Sequence, residues 1–217
     1  MADYVVYGAV GSGSTTVEAA LTLIGAAYSV VENAPFDSPA DAEALAPVNP
    51  MRQVPVLVLP SGELMTESSA ILLHLAERHP EAGLAPEPAS PLRPRFLRWM
   101  SFISAQIYSL YWIRDFPDRL VADPAQEKVV LERTAQRIRD NWATMDAQIA
   151  PEGRFLLGET ISVLDLYVGV ISRWRPGRRA FYAAAPGLTP VVRAVDAEPR
   201  LAALWAERFP FDAGWED

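Results

Sequence analysis

The sequence predicts two units, an N-terminal α+β unit of residues 1–82 and an all-helical unit of residues 93–217. Three observations support this division. The predicted elements of the first unit follow the order strand, helix, strand, helix, strand, strand, helix, whereas only helical periodicity follows it. Five prolines lie within residues 80–94, which is typical of a linker, and we place the linker at residues 83–92. The first unit has two arginines and no lysine against ten carboxylates, while the rest of the chain has no net charge.

Four short segments predict the strands of the first unit. Residues 4–7 and 28–31 are rich in valine and tyrosine, as buried strands are. Residues 53–59 predict a third strand with Pro55 near its start, because proline cannot donate a hydrogen bond within a sheet. A Ser-Gly turn then returns the chain into a fourth strand at residues 63–66.

Apolar residues at helical spacing predict the helices. In the first unit they fall within residues 17–24 and 71–75, and the proline-rich, acidic residues 34–50 predict a loop with one short helix. In the second unit the helical patterns cover residues 99–110, 130–149, 163–174 and 201–205. The third of these four patterns is apolar enough to predict a buried helix.

The composition excludes several classes of function. The 217 residues include no cysteine, and therefore no disulfide, thiolate metal site or cysteine nucleophile. Only two histidines are present, so we expect no zinc site. A net charge of −8 disfavours a nucleic-acid partner. Because the apolar stretches are too short to span a bilayer and residues 1–8 do not read as a signal peptide, we expect a cytoplasmic protein without a membrane partner.

Three short motifs stand at the ends of predicted elements. Gln-Val-Pro at residues 53–55 opens the third strand. Thr-Glu-Ser-Ser-Ala-Ile at residues 66–71 joins a strand to a helix, where free backbone N–H groups and the helix dipole favour an anion; simple helix capping is the alternative. Ser162 and Asp165 have the spacing of a capping box at the start of the buried helix.

This element order, together with the three motifs, resembles the cytosolic glutathione transferases over nearly the whole chain. The resemblance implies a thioredoxin-like N-terminal domain (βαβαββα, with a mixed four-stranded sheet) followed by an all-α domain. It also implies glutathione as co-substrate, no metal, and a homodimer. The bacterial beta class is the most similar, because its loop after the first strand reads Gly-Ser-Cys-Ser where residues 11–14 read Gly-Ser-Gly-Ser. Gly13 then replaces the beta-class cysteine.

The resemblance also implies where glutathione binds. Pro55 is expected in the cis form, with the backbone of Val54 pairing with the cysteinyl part of the tripeptide. Ser68 is expected to bind the γ-glutamyl carboxylate, and Glu67 to face the γ-glutamyl ammonium. The family offers a cation to the glycyl carboxylate, and no lysine or arginine precedes Arg52 in this chain.

Arg52 and Gln53 are therefore the candidates for the glycyl carboxylate, and Arg52 is the better partner because it is charged. A solvated loop cation is the alternative interpretation of Arg52. If its side chain points away from the site, we expect weak glutathione binding.

The resemblance implies that a hydroxyl lowers the pKa of the bound thiol, which is about 8.5 in free thiols. The donor is expected between the first strand and the first helix, in residues 7–17. We favour Ser12 slightly ahead of Ser14, with Thr15 third and Tyr7 less favoured; a backbone amide stays open. In the alternative interpretation both serines only cap the helix.

The second substrate, a small hydrophobic electrophile, is expected between the domains against the first long helix. Tyr108, Tyr111 and Trp112 are the candidates, and Tyr108 falls where the beta class has a histidine. Core packing is the alternative role of each aromatic ring. The leading prediction is an enzyme that conjugates glutathione to an electrophile or reduces a peroxide or disulfide. The alternative is a non-catalytic glutathione-binding or protein-interaction module of the same fold.

Overall fold

The computed structural model describes residues 3–151 and 153–216, and it confirms the predicted fold class. The strands of the N-terminal sheet are β1 (Tyr4–Gly8), β2 (Tyr28–Glu32), β3 (Val56–Val58) and β4 (Leu64–Met65). Their spatial order is β2-β1-β3-β4. β1 is parallel to β2 and antiparallel to β3, and β3 is antiparallel to β4, so the sheet is mixed as predicted. The third strand begins at Val56, directly after Pro55, as the missing N–H of proline requires.

Three helices complete the N-terminal domain: α1 (Ser14–Ile24), α2 (Pro39–Leu45) and α3 (Ser68–Arg78). α1 packs against α3 and against the sheet, and its residues from Ser14 to Leu21 are all buried. α1 ends at Gly25, whose φ of +75° is a left-handed conformation that glycine adopts at little cost. This packing places the start of α1 at the domain's interior and not on its surface.

The regular elements of the C-terminal domain in the described residues are helices, apart from one isolated bridge between Phe155 and Gly158. Its helices are α4 (Arg93–Phe102), α5 (Ser109–Asp115), α6 (Glu127–Ile149), α7 (Val163–Ile171), α8 (Arg178–Ala184), α9 (Thr189–Asp196) and α10 (Ala202–Arg208). The first predicted long helix is interrupted, because a π-helical segment, Ile103–Tyr108, joins α4 to α5. The sequence interpretation had no helix at α8 or α9, and both are present.

α7 is the buried helix that the sequence predicts. All nine of its residues are buried, and it packs against α1 of the N-terminal domain as well as α4 and α9. The predicted capping box is present: the Ser162 amide donates to the Asp165 carboxylate at 2.8 Å. The Leu156 amide also donates to Asp165 at 2.8 Å, and burial raises the pKa of this carboxyl to about 6.

None of the helices in residues 3–151 and 153–216 combines the length and the apolar content needed to cross a membrane. Within the same part of the chain, no three histidine, aspartate or glutamate side chains are grouped closely enough to hold a metal ion. The domain limits at 1–82 and 93–217 stay a prediction, although α4 begins at Arg93.

Candidate functional site

Three of the predicted site segments lie side by side at one end of the sheet. β1 and β4 end there and β3 begins there, so the loop after β1 lies beside Val54-Pro55, and the start of α3 lies beyond it. Neighbouring strands are about 4.8 Å apart, and we refer to the surface along these three segments as the groove. The Val54–Pro55 peptide bond is cis, as the resemblance implies.

Ser12 stands at the start of α1 with its oxygen facing two backbone donors. The Ala9 amide donates to Ser12 Oγ at 3.3 Å and the Ser14 amide at 3.2 Å, the second being a helix-capping bond. Because these bonds use the lone pairs of the oxygen, the hydroxyl proton remains available to an acceptor. One acceptor in reach is Ser14 Oγ, at 3.0 Å. Ser12 is only 7% exposed, so little of its side chain is open to solvent.

Ser14 points into the domain. It is fully buried, and its hydroxyl donates to Glu18 Oε1 at 2.9 Å while the Ala9 amide donates to it at 3.2 Å. Gly8 leaves the space for this side chain, because a Cβ at residue 8 would lie 2.3 Å from Ser14 Oγ. The structure therefore separates the two serine candidates, with Ser12 at the groove and Ser14 beneath it. Thr15, the third candidate, is also fully buried, and its hydroxyl has no hydrogen-bond partner among the described residues.

A buried ion pair lies directly below the serines. Arg208 Nε of α10 donates to Glu18 Oε2 at 2.6 Å, and another nitrogen of its guanidinium donates to Glu32 at the end of β2. Burial raises the pKa of Glu18, and the hydrogen bond from Arg208 opposes that effect. The sequence interpretation missed both residues. The local signal for Glu18 is its position four residues after Ser14 on one helix face; Arg208 has no local signal.

The helical domain holds the loop between β1 and α1 at Gly11. The Gly11 amide donates to the Arg208 carbonyl at 3.0 Å, and Trp174 Nε1 donates to the Gly11 carbonyl at 2.8 Å. Gly11 has a φ of +73°, which a residue with a side chain adopts only at a cost. Sequence reasoning did not assign Trp174 to this loop, because 163 residues separate the two partners.

Tyr108 contacts the same loop at Gly13. A Cβ added to Gly13 would lie 2.1 Å from the Tyr108 hydroxyl, so this hydroxyl occupies the space of a side chain at residue 13. The Tyr108 ring packs edge-on against Trp174 at 5.1 Å and beside Tyr167 at 6.0 Å. Burial raises the pKa of the Tyr108 hydroxyl, and the Tyr167 hydroxyl and the Glu67 carboxylate add to that shift. Tyr108 therefore stays protonated and is a hydrogen-bond donor at neutral pH.

Ser68 lies at the other end of the groove. It is the first residue of α3, and its Oγ is 2.9 Å from the Tyr167 hydroxyl of α7. Burial raises the pKa of Tyr167 to about 12, so Tyr167 is protonated and can donate to Ser68. Ser68 can then offer its own proton to a ligand. Glu67, the residue before Ser68, is exposed. Its φ of +64° is not a helical conformation, so the helix begins after it.

Arg52 lies on the surface, where its positive charge is paired with a carboxylate. Its guanidinium is 2.9 Å from the Glu43 carboxylate, and both side chains are more than half exposed. Its φ of +54° is left-handed, and the next carbonyl, that of Gln53, accepts a hydrogen bond from Asn49 Nδ2 at 2.8 Å. The Gln53 backbone is thus fixed, while the Arg52 charge is shared with Glu43.

The other two aromatic candidates lie in different surroundings from Tyr108. Tyr111 is 4% exposed; its ring packs edge-on against Trp174 at 4.9 Å, and its hydroxyl donates to the Ile171 carbonyl at 3.5 Å. These contacts are those of a core residue. Trp112 is partly exposed beneath the guanidinium of Arg119, which lies 5.4 Å from its ring centre. Of the three, only Tyr108 is shown to contact the loop after β1.

A cavity of about 410 Å³ opens beside this loop, at the ends of β1 and β2. Its walls combine apolar and acidic side chains: Ala9, Val10, Glu32, Asn33, Ala34, Phe36, Asp37 and Asp41. Val10 and Phe36 are large exposed hydrophobic residues, 55% and 49% exposed. An apolar surface next to Ser12 is suited to a small hydrophobic molecule.

Comparisons with known proteins agree with this architecture. Residues 6–83 match the family model for the glutathione S-transferase N-terminal domain. The chain is 32% identical over 198 residues to the uncharacterized GST-like protein YncG of Escherichia coli K12, covering 90% of this chain and 94% of the relative. The chain therefore belongs to the glutathione S-transferase family.

Solved structures show the same fold. A sphingomonad glutathione S-transferase complexed with glutathione is 27% identical, with a TM-score of 0.75 and coverage of 94% of this chain and 98% of that one. A glutathione transferase homologue from Sulfitobacter, solved with bound glutathione, is 22% identical, with a TM-score of 0.84 and coverage of 95% and 99%. At this lower identity the second likeness is evidence for the fold alone.

Proposed function

We propose that this protein binds glutathione along the groove and activates its thiol at Ser12 for attack on a small hydrophobic electrophile. One observation carries the proposal: Ser12 Oγ accepts bonds from the Ala9 and Ser14 amides, which leaves its proton for an acceptor in the groove. A hydroxyl that donates to sulfur stabilises the thiolate over the thiol. Lowering a thiol pKa by about two units corresponds to about 2.7 kcal/mol.

The groove offers a partner for two parts of the tripeptide. The backbone of Val54, before the cis proline, pairs with the cysteinyl part as an added strand would. The γ-glutamyl carboxylate lies at the start of α3, where Ser68 and the helix dipole favour an anion, and the exposed Glu67 faces the ammonium group. The sphingomonad relative, which is complexed with glutathione, supports glutathione as the ligand.

The glycyl end of glutathione has the weakest binding partners in the proposed site. Arg52 is the proposed partner of the glycyl carboxylate, with Gln53 beside it, but Glu43 already neutralises much of the Arg52 charge. An exposed ion pair contributes about 0–1 kcal/mol, so Arg52 can exchange Glu43 for a ligand at little cost. We expect Arg52→Ala to weaken glutathione binding only a few-fold.

The electrophile is proposed to bind between Tyr108 and the cavity beside Val10 and Phe36. Tyr108 is the candidate aromatic residue that contacts the loop after β1, at Gly13. Trp112 is proposed to contact the electrophile at the outer side of the site. Tyr111 lies in the core, where its ring packs against Trp174. The thiolate attacks an electrophilic carbon and displaces a leaving group, which forms a carbon–sulfur bond. A homodimer, which is typical of the family, stays a prediction.

Glutathione titration tests the proposal. We expect the wild type to bind glutathione and to form a thiolate that is visible by its ultraviolet absorbance at neutral pH. Ser12→Ala should reduce the rate with an activated chloronitrobenzene about tenfold or more. The matched control is Ser29→Ala, because Ser29 is an exposed serine of β2. Binding without a thiolate would favour the non-catalytic module, and full activity of Ser12→Ala would remove Ser12 as the donor.

A further inference from the structure

An unbroken chain of buried polar groups leads from the groove into the N-terminal domain. Ser12 Oγ lies 3.0 Å from Ser14 Oγ, which lies 2.9 Å from Glu18 Oε1. The other oxygen of Glu18 accepts a bond from Arg208 Nε at 2.6 Å. The four side chains are 7%, 0%, 1% and 4% exposed in that order. Of these four hydrogen-bonded side chains, only Ser12 is next to the groove.

We propose that Glu18 is the proton acceptor for the bound thiol, which it reaches through Ser14 and Ser12. The inference rests on the proposed function, because it needs a thiol against Ser12. Glu18 does not touch the tripeptide and is therefore a positioning residue that determines in which direction the two serine hydroxyls donate. A buried carboxylate at the end of two hydroxyls is a suitable proton acceptor, since each hydroxyl can accept one proton while donating another.

The charges around Glu18 favour the uptake of one proton. Arg208 is the cation that contacts Glu18, and it is shared with Glu32. Two carboxylates share one guanidinium, which leaves one negative charge in excess. Glu18 and Arg208 are buried, whereas the Glu32 side chain is 56% exposed. Tyr28 is a further titratable group within electrostatic reach, and its hydroxyl is neutral at pH 7. Protonation of Glu18 leaves a balanced Arg208–Glu32 pair.

The hydrogen-bond directions before the transfer follow from the strongest acceptor. The Glu18 carboxylate accepts from Ser14, so Ser14 Oγ can accept from Ser12. The Ala9 amide lies within reach of both serine oxygens, at 3.2 Å from Ser14 Oγ and 3.3 Å from Ser12 Oγ. In this state it donates to Ser14, which leaves one lone pair of Ser12 Oγ to accept from the thiol. In the step the S–H bond breaks and its proton goes to Ser12 Oγ. The former proton of Ser12 passes to Ser14 Oγ, and that of Ser14 passes to Glu18 Oε1.

After the step both serines keep one proton, Glu18 is a neutral acid, and glutathione is a thiolate. The Ser12 hydroxyl now donates to the sulfur, which is the arrangement that stabilises the thiolate. No redox partner is involved, and no proton leaves the protein until the product forms. This retention of the proton distinguishes the relay from direct release of the thiol proton to water.

Proton counting during glutathione binding tests the relay. Titration calorimetry in two buffers of different ionisation enthalpy gives the number of protons released, and ultraviolet absorbance gives the amount of thiolate. At pH 7 we expect a thiolate with almost no proton released. If one proton is released for each thiolate formed, or if glutathione binds without forming a thiolate, the relay is wrong.

Two variants interrupt the relay at different places. Glu18→Gln removes the acceptor, and Ser14→Ala removes the middle hydroxyl while leaving the Glu18–Arg208 pair in place. For both we expect the thiolate fraction at pH 7 to fall about tenfold, with glutathione affinity within about threefold of the wild type, because a shift of one pKa unit is a tenfold change. Ser14→Ala provides the test if Glu18→Gln does not fold. The control is Glu63→Gln, an exposed carboxylate of the same domain.

The outcomes separate the relay from the proposed function. If Glu18 has only a structural role, its substitution lowers the stability of the protein and leaves the thiolate fraction at the wild-type value. A wild-type thiolate fraction in Ser14→Ala overturns the relay, while the proposal for Ser12 stands. A wild type that does not bind glutathione overturns both.

Discussion

The contact between Gly13 and Tyr108 gives a prediction that can be worked out from the structure. Gly13 has φ −64° and ψ −17°, a right-handed helical conformation that alanine adopts freely. A Cβ at this position would nevertheless lie 2.1 Å from the Tyr108 hydroxyl oxygen, 3.0 Å from Cζ and 3.2 Å from Cε2. Gly13→Ala is therefore a test of one steric contact, without a change in backbone preference.

The expected magnitude has two parts of opposite sign. Overpacking of this kind costs about 1–3 kcal/mol. Replacing glycine with alanine where the backbone is compatible stabilises by about 0.4–1 kcal/mol, because the unfolded chain loses freedom. We therefore expect Gly13→Ala to lower the free energy of unfolding by about 1.3 kcal/mol in the wild type, within a range of about 0–2.6 kcal/mol. In a Tyr108→Ala background the clash is absent, and Gly13→Ala should raise the free energy of unfolding by about 0.4–1 kcal/mol.

Urea unfolding of the four proteins in this double-mutant cycle provides the measurement. The expected coupling energy between residues 13 and 108 is about 1–3 kcal/mol, with unchanged m-values. Equal effects of Gly13→Ala in both backgrounds would refute the reasoning, because the Tyr108 ring would then not occupy this space. The same contact blocks Gly13→Cys, so a cysteine at the beta-class position requires a shorter side chain at residue 108.

Two further substitutions test contacts that join the parts of the molecule. Asp165→Ala leaves the Leu156 and Ser162 amides without their buried acceptor, so we expect a loss of about 3 kcal/mol and a melting temperature lower by about 6–12 °C; a decrease of only a degree or two would contradict this. Trp174→Phe keeps an aromatic ring but removes the bond to the Gly11 carbonyl, so we expect a loss of about 1 kcal/mol and faster hydrogen exchange in the loop after β1; unchanged exchange would contradict this.

The N-terminal domain could be predicted from the sequence because its signals are local. Strand composition located β1, β2 and β3, although β3 begins at Val56 and not at residue 53, because Pro55 cannot donate in a sheet. The capping box at Ser162 and Asp165 was equally local, because its two side chains are separated by one helical turn. Each of these features depends on residues within a few positions of one another.

The contacts that complete the candidate site are not local and could not be predicted in this way. Glu18 and Arg208 are 190 residues apart, and Gly11 and Trp174 are 163 apart. No spacing rule connects such positions, since tertiary packing alone decides which helix end meets which loop. The short helices α8 and α9 were also missed, because their seven or eight residues give few turns in which to recognise a period. The equally short α10 was predicted from Leu201, Leu204 and Trp205.

The choice between Ser12 and Ser14 shows where sequence reasoning ends at this site. Both serines fit the first turn of α1, and either could cap the helix. Gly8 separates them, because its missing side chain leaves room for Ser14 beneath the sheet edge. The deciding residue is thus in the preceding strand, and its effect is steric.

Three contacts from the helical domain hold the loop between β1 and α1. Arg208 holds the Gly11 amide and Trp174 the Gly11 carbonyl, while Tyr108 fills the space beside Gly13. The proposed tripeptide anchors Val54 and Ser68, by contrast, belong to the N-terminal domain. Substitutions at the helical side of this boundary should therefore change the thiol pKa more than the affinity for glutathione. We accordingly expect binding and activation to be separable properties of the groove, with the contacts between the two domains affecting activation.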